Sequence, residues 1–253
     1  MADRYDYVIV GAGSAGCVLA NRLSENPVHK VCLLEAGPSD WNPLIHVPAG
    51  FVKTLKDPSV NWLFETEPSW GTNGRTIAAP RGKTLGGSSS INGLVFNRGQ
   101  SMDFNTWAQR GNRGWGYADI LPYFKRFETR LGKGSSIFRG QTGEQVITDL
   151  EWRHPLCDAF IQAATDMGIP LNEDYNGAIQ EGVSYVQRTS KGRLRHSAAK
   201  SFLNPIKSRK NLHIITHAHT TSVIIKEGRA TGVTFSRGAV SYTHLTLPTI
   251  VGV

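Results

Sequence analysis

The chain has 253 residues, of which 40% are hydrophobic and 19% charged, with a formal net charge of +8. This composition is typical of a soluble α/β protein of one or two domains. No apolar run approaches the roughly 18 residues of a membrane span, and Met1-Ala2-Asp3-Arg4 leads into a strand pattern instead of a secretory signal, so we expect a cytoplasmic protein. The three cysteines form no C-x-x-C pair, which argues against a disulfide framework and a zinc site.

The first motif is an apolar strand followed by three glycines at G-x-G-x-x-G spacing. Its residues are Tyr7–Val10, Gly11, Gly13 and Gly16. In such a βαβ opening, the first glycine permits a tight turn and the second lets a pyrophosphate approach the backbone. The third lets the helix pack closely on the strand. The pyrophosphate then rests on the N–H groups of the helix that begins near Ser14 and Ala15.

A second predicted strand, Val31–Leu34, ends in an acidic residue. Glu35, followed by Ala36, stands about where a carboxylate accepts hydrogen bonds from an adenosine ribose. This carboxylate would repel a 2′-phosphate, so NADP is disfavoured. The pattern predicts a cofactor that contains ADP, but it does not separate NAD from FAD.

Residues 37–74 are rich in proline, glycine, tryptophan and asparagine, which indicates long surface connections. Connections of this length in a compact domain are usually functional. Five aromatic residues in this stretch could cover a cofactor or substrate entrance, although core packing is the expected role for most of them. They are Trp41, Phe51, Trp62, Phe64 and Trp70.

The second motif runs from Gly82 to Asn92 and combines paired glycines with clustered serines. Paired glycines allow backbone contact with a flat ligand, and the hydroxyls supply donors. Here the chain resembles the first signature of the glucose/methanol/choline family of FAD oxidoreductases. The matching residues are Gly82, Lys83, Leu85, Gly86, Gly87, Ser88, Ser89, Ile91, Asn92, Phe96, Gly99 and Asn105. The likeness extends from Asp6 to about Ser236 and is greatest to choline-dehydrogenase-like alcohol dehydrogenases.

The resemblance implies oxidation of choline or a similar small primary alcohol by hydride transfer to flavin N5, with oxygen or a membrane quinone as the acceptor. Some members tether the flavin through a histidine just before the signature asparagine. Because this chain has Ile91 there, the resemblance implies a non-covalent FAD. The two motifs and the resemblance together give these cofactor-binding candidates: Gly11, Gly13, Ser14, Ala15, Gly16, Glu35, Ala36, Arg81, Thr84, Gly86, Gly87, Ser88, Ser89, Asn92, Gly93, Leu94, Val95 and Val223.

The predicted fold class is α/β: a Rossmann-like FAD-binding domain, with a βαβ unit and a parallel sheet, plus part of an α+β substrate domain, truncated. The predicted helices cover 103–111, 117–129 and 154–167, and a strand is expected at 146–150. Further strands are expected at 211–216, 221–225 and 230–235. The predicted ranges are 1–131 and 206–239 for the FAD-binding domain and 132–205 for a partial substrate-binding domain.

The last strands carry two further predictions. In the family a comparable strand series returns to the FAD domain, and the resemblance places the backbone of Val223 against the adenine. His217 and His219 alternate at strand spacing, but no carboxylate or cysteine stands at a supporting distance. No metal site is predicted.

A basic stretch accounts for the net charge, because eight cations follow one another without an acidic residue between them. They are Arg188, Lys191, Arg193, Arg195, Lys200, Lys207, Arg209 and Lys210. A solvated face, or an interface to a missing acidic surface, is the favoured interpretation. Peripheral contact with anionic lipid is an alternative, with Phe202 and Leu203 as a modest apolar anchor. Nucleic acid is not an expected partner, since aromatic residues do not interleave.

The resemblance places the general base, a histidine, in a C-terminal half that these residues do not include, so no catalytic residue is predicted in this chain. From Val240 the sequence leaves the family pattern, and Val240-Ser241-Tyr242-Thr243-His244-Leu245 resembles one translated frame of a transposase sequencing adaptor. We expect residues 240–253 to be a non-native tail. A natural divergent C-terminus is the alternative.

Three other functions compete with an FAD-dependent alcohol oxidoreductase. An NAD-dependent dehydrogenase would share the first motif but has no use for the second. A non-catalytic FAD-binding fragment would take up flavin that no alcohol reduces. A basic anion-binding or membrane-surface protein would show salt-dependent association.

Overall fold

The structure is a computed structural model that describes residues 3–238, 240–246 and 249–252. Several residues that belong to the predicted domain and tail ranges lie outside the described residues: Met1, Ala2, Ala239, Leu247, Pro248 and Val253.

The elements follow one another in a mixed α/β order. The strands β1 to β14 are Asp3–Arg4, Tyr7–Val10, Val31–Leu34, Phe64–Glu65, Ala78–Ala79, Glu128–Leu131, Gln145–Thr148, Ser190–Lys191, Leu194–Arg195, Leu212–Ile215, His219–Lys226, Arg229–Arg237, Val240–Thr246 and Thr249–Gly252. The helices α1 to α6 are Ser14–Leu23, Pro43–His46, Phe51–Thr54, Ser101–Gln109, Tyr117–Phe127 and Pro155–Asp166. Short 3-10 turns occupy Pro48–Gly50, Trp70–Thr72 and Gly87–Ser90, and a π-helical turn covers Ala199–Leu203.

The chain divides into two compact units. The first unit comprises residues 1–93 and 193–253, and the second unit comprises residues 94–192. The sequence placed these boundaries at 131/132 and 205/206 instead. Strand pairing across the predicted boundary accounts for the first difference, because β6 pairs in parallel with β7 inside the second unit. The π-helical turn, in contrast, packs on α1, where the Asn21 amide donates to the Phe202 carbonyl at 2.8 Å. The assignment of the two units to cofactor and substrate stays a prediction.

The first unit is built on a parallel sheet of the order β10-β3-β2-β14. All three neighbouring pairs are parallel, and β2, α1 and β3 form the predicted βαβ unit. All four residues of β3 are buried, which explains why this strand is a continuous apolar run in the sequence. The predicted α/β fold with a parallel sheet is confirmed. The proposed non-native origin of residues 240–253, which contribute β13 and β14, is a separate prediction that the fold does not test.

A second sheet of the order β1-β13-β12-β11 completes the first unit. Its β11 and β12 run antiparallel, with Val223 opposite Val233. One buried cluster joins residues of the two sheets: Tyr5, Val8, Cys32, Leu34, Ala218, Val233 and Phe235. Full burial of a large aliphatic or aromatic side chain stabilises a fold by roughly 1.5–3 kcal/mol. Cys17 and Cys32 are buried, and Cys157 is exposed.

The second unit holds a buried group of charges instead of a large apolar core. Glu128, at the start of β6, is fully buried and accepts from Arg98 at 2.6 Å and from Arg139 at 2.7 Å. Arg139 also pairs with Asp174. Buried charges persist only when they are paired and hydrogen-bonded, so these contacts fix how the strands, loops and helices of this unit meet.

Two expectations about surface residues are wrong. Trp41, Phe64 and Trp70 do not pack in the core, since their side chains are 85%, 52% and 98% exposed. Phe202 and Leu203 are buried at 3% and 2% exposure, so they form no apolar anchor for a membrane surface.

The basic stretch is not one continuous surface either. Arg195 is 1% exposed, and Arg209 donates to the Asn21 carbonyl at 2.6 Å and to the Ser24 hydroxyl at 2.8 Å. These two cations hold loops of the first unit. No helix in the described part of the chain is both long enough and apolar enough to cross a membrane.

Candidate functional site

A cleft of about 490 Å³ opens in the first unit at the carboxyl ends of β2 and β3. Ligands of open α/β sheets bind at this edge. The cleft is lined by Val10, Gly11, Gly13, Ser14, Ala15, Gly16, Leu34, Glu35, Ala36, Trp62, Arg81, Gly82, Gly87, Ser88, Ala218, His219 and Thr220. Many of the sequence-predicted cofactor residues therefore come together at one place.

The first glycine loop shapes the floor of the cleft. Gly11 has a φ of 91°, which L side chains rarely adopt, and a Cβ at Gly16 would lie 2.0 Å from the Gly11 carbonyl oxygen. A Cβ at Gly13, in contrast, would meet nothing within 4 Å. The geometry fits the turn assigned to Gly11 and the close packing assigned to Gly16, and the open space at Gly13 leaves its predicted role in ligand access a prediction.

The N-terminus of α1 faces the cleft without a side chain to cap it. Gly13 is the N-cap residue, and the first turn carries no acidic residue. The first amides of an α-helix have no acceptor within the helix, so those of Ser14 and Ala15 can donate to an anion. The helix dipole adds to this preference for negative charge.

Glu35 forms the wall after β3 and is 5% exposed. Its carboxylate accepts from the Ala12 amide at 2.8 Å and from the Gly37 amide at 2.9 Å. Desolvation by burial raises the pKa of Glu35, and the hydrogen bonds from Gly37 and Ala12 oppose that rise. Each carboxylate oxygen keeps a further lone pair, so the group can still accept a hydroxyl from a ligand.

The second glycine loop packs directly on the first. Gly86 donates its amide to the Ala12 carbonyl at 2.7 Å, and a Cβ at Gly87 would lie 2.7 Å from the Gly13 Cα. Gly82 is equally tight, because its Cβ would come within 2.2 Å of the Gly87 carbonyl. Only glycine fits at these contacts. The second motif therefore serves to bring its backbone against the first loop.

The start of β11 provides the third wall. His217 has a φ of 56° and donates its amide to the Gly37 carbonyl at 2.9 Å, and Ala218 donates to the Glu35 carbonyl at 2.8 Å. These two hydrogen bonds position His219 and Thr220 in the lining of the cleft. The Thr220 Oγ1 is buried and has no hydrogen-bond partner among the described residues.

Val223, which was predicted to contact the adenine, is absent from the cleft lining and lies three residues beyond Thr220 on the same strand. His217 does not lie in a strand, so it does not alternate with His219 as the sequence suggested. Among the described residues, no three of the His, Cys, Asp and Glu side chains are placed to hold a metal ion.

An aromatic group lies at Trp62, one of the residues for which the sequence offered a place at a cofactor entrance as the less favoured role. Trp62 stacks on Phe64 with centroids 5.7 Å apart, and His219 meets its edge at 5.3 Å. The Lys83 ammonium lies 4.9 Å from the centre of the Trp62 ring. The cluster of tryptophans in residues 37–74 was a signal, but nothing in the sequence distinguished Trp62 from the others.

The other predicted residues lie outside the cleft lining. Thr84 is fully buried and donates its hydroxyl to the Pro38 carbonyl at 2.9 Å. Ser89 donates to the Gly86 carbonyl at 2.6 Å, so its hydroxyl braces the second loop. Leu94 and Val95 belong to the second unit. Gly86, Asn92, Gly93 and Val223 are likewise absent from the cleft lining.

A parallel sheet, an uncapped helix N-terminus and two interlocked glycine loops define a dinucleotide-binding α/β protein. Residues 5–249 match the GMC oxidoreductase family, and the chain belongs to that family. The family resemblance inferred from the second motif is thus confirmed.

Individual relatives agree with this assignment. The chain is 48% identical over 231 residues to an alcohol dehydrogenase (acceptor) of Pseudomonas putida, covering 91% of this chain and 42% of the relative. It is 45% identical over 233 residues to an oxygen-dependent choline dehydrogenase of Rhizobium rhizogenes, covering 92% and 42%. The chain therefore spans about 42% of the length of these curated relatives.

Solved structures show the same fold. Pyridoxine 4-oxidase from Mesorbium loti superposes with a TM-score of 0.93 at 32% identity, over 98% of this chain and 49% of that one. An FAD-dependent oxidoreductase from Chaetomium thermophilum superposes with a TM-score of 0.88 at 26% identity, over 98% and 45%.

Proposed function

We propose that this chain binds FAD and is the N-terminal part of an oxidoreductase that acts on the CH–OH group of a primary alcohol. The observation that carries the proposal is the contact between the two glycine loops at Gly87 and Gly13, beside an uncapped helix N-terminus. An NAD-dependent dehydrogenase needs the first loop alone. The second loop, with its clustered serines, suits a cofactor that extends past the pyrophosphate to a flat ring.

Different residues of this chain would bind different parts of FAD. The amides of Ser14 and Ala15 would hold the pyrophosphate, and Glu35 would accept from the ribose hydroxyls. We propose that Trp62 and Thr220 meet the adenosine part of FAD, with Thr220 in place of Val223 at the adenine, because Thr220 lines the cleft and Val223 does not. The backbone and hydroxyls of the second loop would hold the flavin end.

The flavin is proposed to be non-covalent. The position of the family's tethering histidine is Ile91, which is 1% exposed and packs with Ile45 and Val60. An aliphatic side chain offers no atom for a covalent bond to flavin. Acid precipitation of the loaded protein should therefore leave all the flavin in the supernatant, and flavin retained on the precipitated chain would contradict this assignment.

The names of the relatives support a small alcohol, with choline as the leading candidate. When bound, FAD supplies a hydride acceptor for the carbon that is oxidised to an aldehyde. A base outside residues 1–253 would take the hydroxyl proton. Oxygen or a quinone is the proposed electron acceptor, and this chain alone is proposed to bind flavin without turning over an alcohol.

Reduction of the flavin by candidate alcohols tests the proposed function. The full-length product of the source gene is purified with its flavin and mixed anaerobically with choline, an aromatic alcohol and an aliphatic alcohol, while the visible flavin absorption is recorded. We expect at least one primary alcohol to bleach the flavin. Reduction by NADH with no response to any alcohol would contradict the proposal.

A further inference from the structure

We infer that Arg195 is a positioning residue that fixes the loop from Ser89 to Asn92 in the orientation that the flavin ring requires. This inference rests on the proposed function, because it assigns the second loop to the flavin end of FAD. Arg195 is an additional residue for the flavin end of the site. It lies more than 100 positions along the chain from that loop and outside both glycine motifs.

The guanidinium of Arg195 is buried and fully engaged with oxygen atoms. It donates from Nε to the Ile45 carbonyl at 2.7 Å and from Nη1 to the Ser89 carbonyl at 3.0 Å. Nη1 also reaches the Asn92 Oδ1 at 2.8 Å, and Nη2 reaches the Asn92 carbonyl at 2.7 Å. One side chain therefore ties α2 and both ends of the Ser89–Asn92 segment together.

None of these acceptors is a carboxylate. Within the part of the chain that the structure describes, Arg195 takes part in no ion pair, although it is 1% exposed. Desolvation by burial lowers the pKa of Arg195 to about 10, so the group stays charged at neutral pH. Burying a cation without a counter-charge costs folding free energy. This cost indicates that the planar array of donors of Arg195 is needed to bind the oxygen atoms around it.

The restraint acts on the part of the loop that faces outward. Ser90 and Ile91 are buried, whereas Asn92 and Gly93 are exposed. Because the guanidinium binds both oxygens of Asn92, it fixes the backbone and the amide orientation together. The Ser89 hydroxyl adds a brace by accepting from the Ala198 amide at 2.9 Å. Hydrogen bonds to Arg195 and Ala198 thus fix the loop, while Asn92 lies at its exposed end.

Lysine cannot reproduce this arrangement. Its ammonium is a single point with three donors, whereas the four acceptors surround a planar fork. Arg195→Lys therefore keeps the charge but loses the geometry. This difference separates a positioning role from a purely electrostatic one.

The test compares ADP with FAD, since ADP reaches only the first loop and FAD reaches both. The full chain and its Arg195→Met variant are titrated with each ligand, and the visible circular dichroism of the bound flavin is recorded. We expect the ADP dissociation constant to stay within about twofold, while the FAD constant rises about tenfold or more towards that of ADP. We also expect the flavin dichroism to change, and Arg195→Lys to restore neither property fully.

Arg209→Met is the matched control. Arg209 also donates to a carbonyl and a hydroxyl of the first unit, but both acceptors lie near the end of α1 and not in the second loop. We expect it to leave the ratio of the ADP and FAD constants and the flavin dichroism unchanged. If Arg195→Met fails to give a folded protein, the Arg195→Lys variant carries the test.

Two results would overturn the inference. One is an FAD constant and a flavin dichroism in the Arg195 variants equal to those of the unchanged chain. The other is an equal loss of ADP and FAD binding, which would make Arg195 a general structural residue. Failure of the proposed function looks different, because the unchanged chain itself would then bind FAD no more tightly than ADP.

Discussion

A methyl group should have opposite consequences at Gly13 and Gly16, which stand three residues apart in one loop. At Gly16 the new Cβ would lie 2.0 Å from the Gly11 carbonyl oxygen, so Gly16→Ala forces the loop apart. We expect it to lower the free energy of unfolding by about 1–3 kcal/mol in urea denaturation. At Gly13 the Cβ projects into open space and φ is −74°, so Gly13→Ala should keep its stability within about 0.5 kcal/mol.

The affinity for ADP should show a defect in Gly13→Ala that its stability does not show. The open space at Gly13 is where we place the pyrophosphate, so Gly13→Ala should weaken ADP binding by at least about tenfold while the protein stays folded. Calorimetric titration with ADP measures this loss. Unchanged ADP affinity in a stable Gly13→Ala protein would show that the phosphate does not lie at this loop.

Glu35 gives a prediction about pH. Burial raises its pKa, so the folded state binds this proton more tightly than the unfolded state does. The carboxyl therefore stabilises the fold below its unfolded pKa, and this contribution is lost as pH rises through the folded pKa. Relative to Glu35→Gln, the unchanged chain should lose stability as pH rises above the unfolded pKa of a glutamate, about 4.3.

Urea denaturation of both proteins across this pH range measures the difference. Glu67→Gln serves as the control for the loss of a glutamate at an exposed position. A difference between Glu35→Gln and the unchanged chain that is flat, or that runs in the opposite direction, would contradict the assigned cause.

At the scale of elements, the second unit depends on the charges that join β6 to its neighbours. Glu128→Gln would leave Arg98 buried without a carboxylate partner and would leave Arg139 paired with Asp174 alone. We expect a loss of about 3–5 kcal/mol in the unfolding of this unit, measured by native-state hydrogen exchange of β6 and β7. The exposed pair of Lys133 and Glu173 is the control, and Glu173→Gln should cost less than about 1 kcal/mol. Equal costs for the two variants would show that the buried pairs do not stabilise the unit.

The local elements could be predicted well from the sequence. β2, α1 and β3 follow from apolar runs and glycine spacing, and α4, α5 and α6 follow from their periodicity. The contact partners could not be predicted in the same way. Thr220 reaches the cleft because His217 takes a left-handed conformation and bonds to Gly37, a long-range contact without a local signal.

The basic stretch shows the same limit. Arg195 looked like one cation of a solvated run, but its acceptors stand 103 and 150 residues away in the chain. Its burial is therefore a property of the assembled loops and not of its neighbours in sequence. The unit boundaries differ from the predicted ones for a similar reason, since β6 pairs with β7 across the predicted boundary at 131/132.

At the scale of the whole molecule, we expect the natural gene to encode more of the family's length than this chain does. Curated relatives are more than twice as long as the matched region. The source locus, read from an independent library across the codons for Gly232 to Val253, should continue past Ser236 into the second family signature and a downstream histidine. A natural stop after Val253 would remove the proposed catalytic activity and leave a flavin-binding chain.

The most direct test of the central claim is a parallel titration of the purified chain with FAD and with NAD. FAD binding is followed by quenching of flavin fluorescence, and NAD binding by calorimetry. We predict saturable FAD binding that ADP displaces and that Gly13→Ala weakens, together with NAD affinity no higher than that of ADP. Saturable NAD binding without uptake of FAD would contradict the claim that the two glycine loops together form a flavin site.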